Sequence, residues 1–156
     1  MNIEVKNIEQ TLAFARQVGS RLGGGEVFEL VGDVGAGKTT FAKGLGNGLE
    51  ITDDVQSPSF TLSRVYDARD GLKLHHYDFY RLGDAGILAY ELAESVSDYH
   101  VITVVEWAAT VADVLPLNTC VLTFSADASS ENKRIIVIDN PNKAIEEAYA
   151  VWSKNR

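Results

Sequence analysis

Residues 30–42 read LVGDVGAGKTTFA, an apolar strand end that passes through three glycines into the start of a helix. Upstream, residues 27–31 form a short apolar run that predicts a strand. Downstream, Phe41, Leu45 and Leu49 share one face of a helix predicted over 39–49. Between them, residues 32–39 match G-x-x-x-x-G-K-[ST] at every fixed position, in the strand-before, helix-after context that the motif requires. Glycines let the backbone turn sharply and aim successive N–H groups at a polyphosphate, which the positive end of the following helix further stabilises. Lys38 then reaches the β- and γ-phosphates as a mobile point charge, while the Thr39 hydroxyl supplies one oxygen to the shell of a Mg²⁺ ion. This stretch predicts an α/β fold that holds a nucleotide.

The remaining pattern agrees with that class. Residues 3–5 predict a short strand, and Ile8, Leu12, Ala15, Val18 and Leu22 recur at helical spacing until Gly23. Within the helix over 39–49, Gly44, Gly46 and Gly48 each cost about 1 kcal/mol relative to alanine, a cost that close packing would justify. Extended segments at 59–66 and 72–80 flank a turn-rich link at 67–71 and predict an antiparallel hairpin. Its open end would set residues 57–60 beside residues 78–81. A helix over 87–96, a β-branched run at 101–105 expected to be buried on both faces, strands at 121–125 and 134–139, and a final helix over 144–152 complete a mixed sheet.

Length and charge narrow the function. The chain has 156 residues, is 46% hydrophobic and shows no repeat, so a single domain over 1–156 is expected. A formal charge of −8 repels nucleic acid and anionic membranes, so RNA contact would need a basic patch or a partner protein. The one cysteine, Cys120, excludes an internal disulfide and a cysteine-based zinc site. No signal peptide and no membrane span is read, and a cytoplasmic location is expected.

A phosphate-loop site usually takes a carboxylate from the end of a neighbouring strand. Glu106 follows the run at 101–105 and is the leading candidate, because ligands of open α/β sheets collect beyond the carboxyl ends of the strands. Asp78 is the second, set among aromatic and imidazole side chains where it needs a fixed partner such as Arg81, a histidine or a metal shell. His75 and His76 are adjacent on an extended segment and point to opposite faces, which argues against a shared ion and for packing or hydrogen bonding. Trp107 is read either as core or as an indole beside the nucleotide. The hydroxyls of Ser57, Ser59 and Thr61 on a proline-fixed turn read as a switch loop or as turn chemistry.

Four motifs, in order and over nearly the whole chain, resemble the bacterial TsaE family, formerly called YjeE: VGDVGAGKTT at 31–40, SPSFTL at 57–62, HYDFYRL at 76–82 and VEW at 105–107. That family comprises small P-loop ATPases required for threonylcarbamoyladenosine modification of tRNA. The resemblance implies a P-loop NTPase-like, three-layer α/β domain with a mixed parallel and antiparallel central sheet. It implies that Gly32, Asp33, Val34, Gly35, Ala36, Gly37, Lys38, Thr39 and Thr40 hold the phosphates of ATP, that Thr39 and Glu106 serve Mg²⁺, and that Lys38, Asp78 and Glu106 carry the chemistry. Glu9-Gln10-Thr11 resembles the family's E-x-T, which sets Thr11 near the adenine; Trp107 and Arg134 are expected at the nucleotide as well. The implied partners are TsaD and TsaB, with tRNA met only through that complex and no membrane. Two departures stand out: Ser59 replaces the usual threonine of S-P-T-F and keeps the hydroxyl, and Ala108 and Ala109 replace a frequent proline and acid.

Two rival functions share the loop. A small-molecule kinase needs a mobile lid whose arginines close on the phosphates, and the seven arginines here are scattered. A nucleotide-dependent switch of the GTP type usually carries N-K-x-D, and neither Asn132-Lys133 nor Asn142-Lys143 continues to an aspartate two places on.

Overall fold

A strand that is apolar on both faces is stable only when both faces are covered, and Val101–Glu106 is buried at all six positions. The computed structural model describes residues 1–33, 35–58, 62–80 and 86–155. The expectations placed on Val34, Ser59, Thr61 and Arg81 lie outside the described residues. In chain order the elements are β1 (Asn2–Val5), α1 (Ile8–Gly19), β2 (Val27–Val31), α2 (Lys38–Gly48), β3 (Ser63–Asp67), β4 (Lys73–Asp78), α3 (Ile87–Val96), β5 (Val101–Glu106), β6 (Cys120–Asp127), β7 (Ser130–Asp139) and α4 (Lys143–Asn155).

They form one seven-stranded sheet in the order β1-β7-β6-β2-β5-β4-β3. The central strands β6, β2, β5 and β4 run parallel. Antiparallel pairs flank them, β3 with β4 on one side and β7 with both β6 and β1 on the other. Side-chain alternation sorts the sheet into two covered faces. Phe28, Leu30, Leu74, Ile102, Val104, Leu122, Phe124 and Ile136 point to one face and pack with Phe14, Phe41, Leu45, Ile145 and Trp152 of α1, α2 and α4. Tyr77, Phe79 and Val105 occupy the other, with Leu92 of α3 and with Val111. The result is the three-layer α/β arrangement with a mixed sheet.

Where element ends depart from the sequence pattern, a local bond explains it. β3 starts at Ser63 because the Leu62 N–H turns back to the Pro58 carbonyl at 2.7 Å and Leu62 takes a left-handed φ of 67°. β4 stops at Asp78 because its carboxylate accepts the Tyr80 N–H at 2.9 Å while the Phe79 N–H crosses to the Glu106 carbonyl at 3.1 Å. α1 ends at Gly19, where the Arg69 guanidinium donates to the carbonyls of Gly19 at 2.9 Å and Leu22 at 3.0 Å. The same side chain reaches the Gly48 carbonyl at the end of α2, so one arginine from the β3–β4 turn caps two helices. The glycines of α2 allow close packing: a Cβ on Gly48 would strike the Arg16 carbonyl oxygen, and one on Gly44 would strike Ala15. No helix among the described residues is long and apolar enough to cross a membrane.

Candidate functional site

The loop between β2 and α2 opens at the carboxyl end of the parallel strands. Gly32 and Gly37 hold φ values of 146° and 114°, conformations that a side chain would strain, and Gly37 is the N-cap of α2. The Ala36 N–H returns to the Asp33 carbonyl at 3.0 Å and tightens the turn. Gly35, Gly37, Lys38, Thr39 and Thr40 line a cavity of about 420 Å³, within the range of small-ligand sites. Ala36 instead packs into the core, and Asp33 is exposed and does not line the cavity.

Lys38 is the first residue of α2 and is only 7% exposed. Its Nζ donates to the Gly32 carbonyl at 2.6 Å, lies 3.6 Å from Glu106 Oε1 and sits 4.8 Å from the centre of the Trp107 ring. All three partners are negative or electron-rich, so a polyphosphate entering the cavity competes for a cation already at its wall.

The two predicted acids meet because the sheet pairs them. β4 and β5 run parallel with Asp78 directly opposite Glu106, so both carboxylates stand at strand ends on the α2 side. Glu106 is 3% exposed and Asp78 5%, and both line the cavity. Glu106 is gripped from both sides, by Lys38 at Oε1 and by His76 Nε2 at 2.7 Å from Oε2. Strand alternation separates the two histidines: His76 is fully buried under α2. His75 projects to the α3 face against Tyr77, where burial lowers its pKa.

Trp107 follows Glu106 in a left-handed conformation, φ 56° and ψ 55°, which costs a non-glycine residue roughly 1–2 kcal/mol. The turn swings the indole out of the sheet and over Lys38. It is 39% exposed, stacks obliquely on Tyr80 with ring centres 4.7 Å apart, and belongs to the cavity wall, not to the core.

The opposite wall comes from the far ends of the chain. Thr11 is buried on α1, and Arg134 on β7 is held by bonds from its guanidinium to the carbonyls of Glu131 at 2.7 Å and Lys133 at 2.9 Å; both line the cavity. Asn7, Ser57, Tyr80 and Asn132 line it too, and no sequence expectation places Asn7, Tyr80 or Asn132 at the nucleotide. Asn7 had a legible signal as the N-cap of α1, its side chain accepting the Gln10 N–H at 2.9 Å. His76 had one in its i, i+2 spacing from Asp78, which sets both on one strand face.

The donor set suits a nucleotide-bound divalent cation. Among the described residues no group of three or more His, Cys, Asp or Glu is arranged to hold a metal ion alone. Mg²⁺ takes one or two protein oxygens and completes its shell with phosphate and water, and the Thr39 hydroxyl and the Glu106 carboxylate line one cavity at the helix N-terminus.

The mixed three-layer sheet, with a glycine loop leading from a central strand into a buried helix, places the molecule in the P-loop NTPase-like class. It resembles the crystal structure of Bacillus subtilis YdiB with a TM-score of 0.73 and 30% identity, over 99% of this chain and 95% of that one. The chain belongs to the TsaE family: the family model for the threonylcarbamoyl adenosine biosynthesis protein TsaE matches residues 5–136. Among relatives named tRNA threonylcarbamoyladenosine biosynthesis protein TsaE, that of Bacillus subtilis strain 168 is 41% identical over 115 residues, 70% of this chain and 68% of its own length. That of Treponema pallidum strain Nichols is 35% identical over 134 residues, 85% of this chain and 96% of its own.

Proposed function

We propose that the chain is a Mg²⁺-dependent ATPase that supports threonylcarbamoyladenosine modification of tRNA next to the anticodon, acting in the cytoplasm with TsaD and TsaB. The observation that carries the reading is the convergence, on one cavity, of the α2 N-terminus, Lys38 and two strand-end carboxylates. Phosphates of ATP rest on the amides of the loop, with Lys38 leaving the Gly32 carbonyl to meet the β- and γ-phosphates. Thr39 and Glu106 would hold Mg²⁺, and the ion would supply charge neutralisation at the phosphates. A water oxygen attacks the γ-phosphorus, the bond to the β–γ bridging oxygen breaks, and ADP leaves with the electron pair. Asp78 and Glu106 are the carboxylates at hand to orient water and metal, and Lys38 with the loop amides stabilises the developing negative charge. Thr11, Arg134 and Trp107 enclose the rest of the nucleotide.

The acidic surface supports contact with tRNA through the partner proteins rather than directly. Of the five arginines among the described residues, Arg134 alone lines the cavity. A finger supplied by a partner adds roughly 10³ to 10⁵ in rate, so hydrolysis is slow alone and faster in the assembly. The test is ADP formation by the wild type and by Lys38→Ala, each alone and with purified TsaD and TsaB. Partner stimulation that disappears in Lys38→Ala is the expected result. Equal rates with and without the partners, or turnover independent of Lys38, would sink the proposal.

A further inference from the structure

Glu106 does not stand alone at the end of β5. His76, 30 residues earlier on β4, is fully buried and places Nε2 2.7 Å from Glu106 Oε2. Its other ring nitrogen, Nδ1, is buried with no hydrogen-bond partner among the described residues. A proton on Nδ1 would be a buried donor without an acceptor, so the ring proton belongs on Nε2, where it is donated to Glu106. Lys38 approaches the other oxygen, Oε1, at 3.6 Å. The two grips differ in kind: the lysine is long, with four side-chain torsions that allow it to reach another partner, whereas the imidazole is fully buried on its strand. Glutamate has freely turning side-chain torsions, and a donor on the neighbouring strand removes that freedom.

We propose that His76 is a positioning residue for Glu106: its Nε2–H locks Oε2 and leaves Oε1 facing the phosphate end of the cavity, ready for a nucleotide-bound divalent cation when Lys38 turns to the phosphates. Histidine, ordinarily a ligand's partner through the reverse arrangement, here orients the ligating carboxylate. The inference rests on the reading of the site as one for Mg²⁺ with ATP.

The first test is the ring tautomer, read by long-range ¹H–¹⁵N correlation on the nucleotide-free protein, which has only three histidines. His76 is expected with a proton on Nε2; a ring protonated on Nδ1 alone, with Nε2 bare, overturns the proposal. The second compares His76→Leu, which removes the donor at similar volume, with His76→Gln, which returns an N–H at similar reach. ADP affinity with and without Mg²⁺, the half-saturating Mg²⁺ concentration, kcat, KM for ATP and the melting temperature are measured for each. In His76→Leu the half-saturating Mg²⁺ is expected to rise and kcat to fall by about 10- to 100-fold, with Mg²⁺-free ADP affinity held within about twofold. His76→Gln should recover most of both. A purely structural role lowers melting temperature and Mg²⁺-free affinity together, and that result overturns the proposal, as does a leucine variant with wild-type Mg²⁺ dependence or a glutamine variant no better than leucine. Wild-type protein whose nucleotide binding ignores Mg²⁺ overturns the underlying site reading and the inference with it.

Discussion

Glu29 stands in the middle of β2 on the face opposite Phe28 and Leu30, and burial raises its carboxyl pKa above the ordinary 4.5. A raised acid binds its proton more tightly in the folded chain than in the unfolded one. Stability is therefore greatest, as far as this group is concerned, below the unfolded value, and falls as pH rises through the folded value. Glu29→Gln removes the charge without changing the shape, so it should raise the melting temperature at pH 7, with the two proteins converging near pH 4; melting curves across that range decide it. Burial also pushes the Cys120 thiol up to about 11, so the thiolate that attacks disulfide reagents is scarce. The thiol should stay unmodified by such a reagent at pH 8 in the folded protein and react once denaturant is added. Neither effect was legible in the sequence, because a lone Glu or Cys carries no local sign of how much chain will cover it. Glu106 was legible, since it ends an apolar run, but its bond to His76 was not.

Elements were read well where their signal is local, and α3 was anticipated over 87–96, the span it occupies. The glycines of α2 were the anomaly, a penalty without an evident return. For Gly44 and Gly48 the reason lies in α1 and its C-cap, where the Arg16 carbonyl and Ser20 amide crowd Gly48, while a Cβ on Gly46 would strike the Val55 side chain. Gly48→Ala should destabilise by about 1–3 kcal/mol, since backbone cannot yield as a side chain does. Gly23 meets nothing within 4 Å of an added Cβ, and Gly23→Ala should be neutral or stabilise by about 0.4–1 kcal/mol. Chemical denaturation of both variants gives the contrast. The turn at 67–71 was legible as a turn, but its structural work was not. Arg69→Met strips the carbonyls of Gly19 and Leu22 of a charged donor, and should cost about 1.5–3 kcal/mol by the same measurement.

At the scale of the whole molecule, a nucleotide filling the cavity would touch α1, α2, β4, the end of β5 and β7 at once. A ligand that binds only the folded state stabilises it by about 2.7 kcal/mol at 100 times its Kd, which for a domain of this size shifts the melting temperature by roughly 5–10 °C. ADP should produce that shift in the wild type and little of it in Lys38→Ala, as thermal melts with added nucleotide would record. The sequence by itself determined the strand–loop–helix unit, the order of elements and the place of Lys38 at the start of α2, because each rests on neighbours a few positions apart: glycine's freedom, helical and strand periodicity, a lysine one step into a helix. Only the tertiary structure decided that β5 inserts between β2 and β4, which brings Glu106 opposite Asp78 and within reach of His76. It alone decided, too, that Asn7 and Thr11 from the start of the chain face Asn132 and Arg134 from near its end. Strand pairing and register are settled by burying the whole apolar surface at once, and no local stretch of sequence contains that competition.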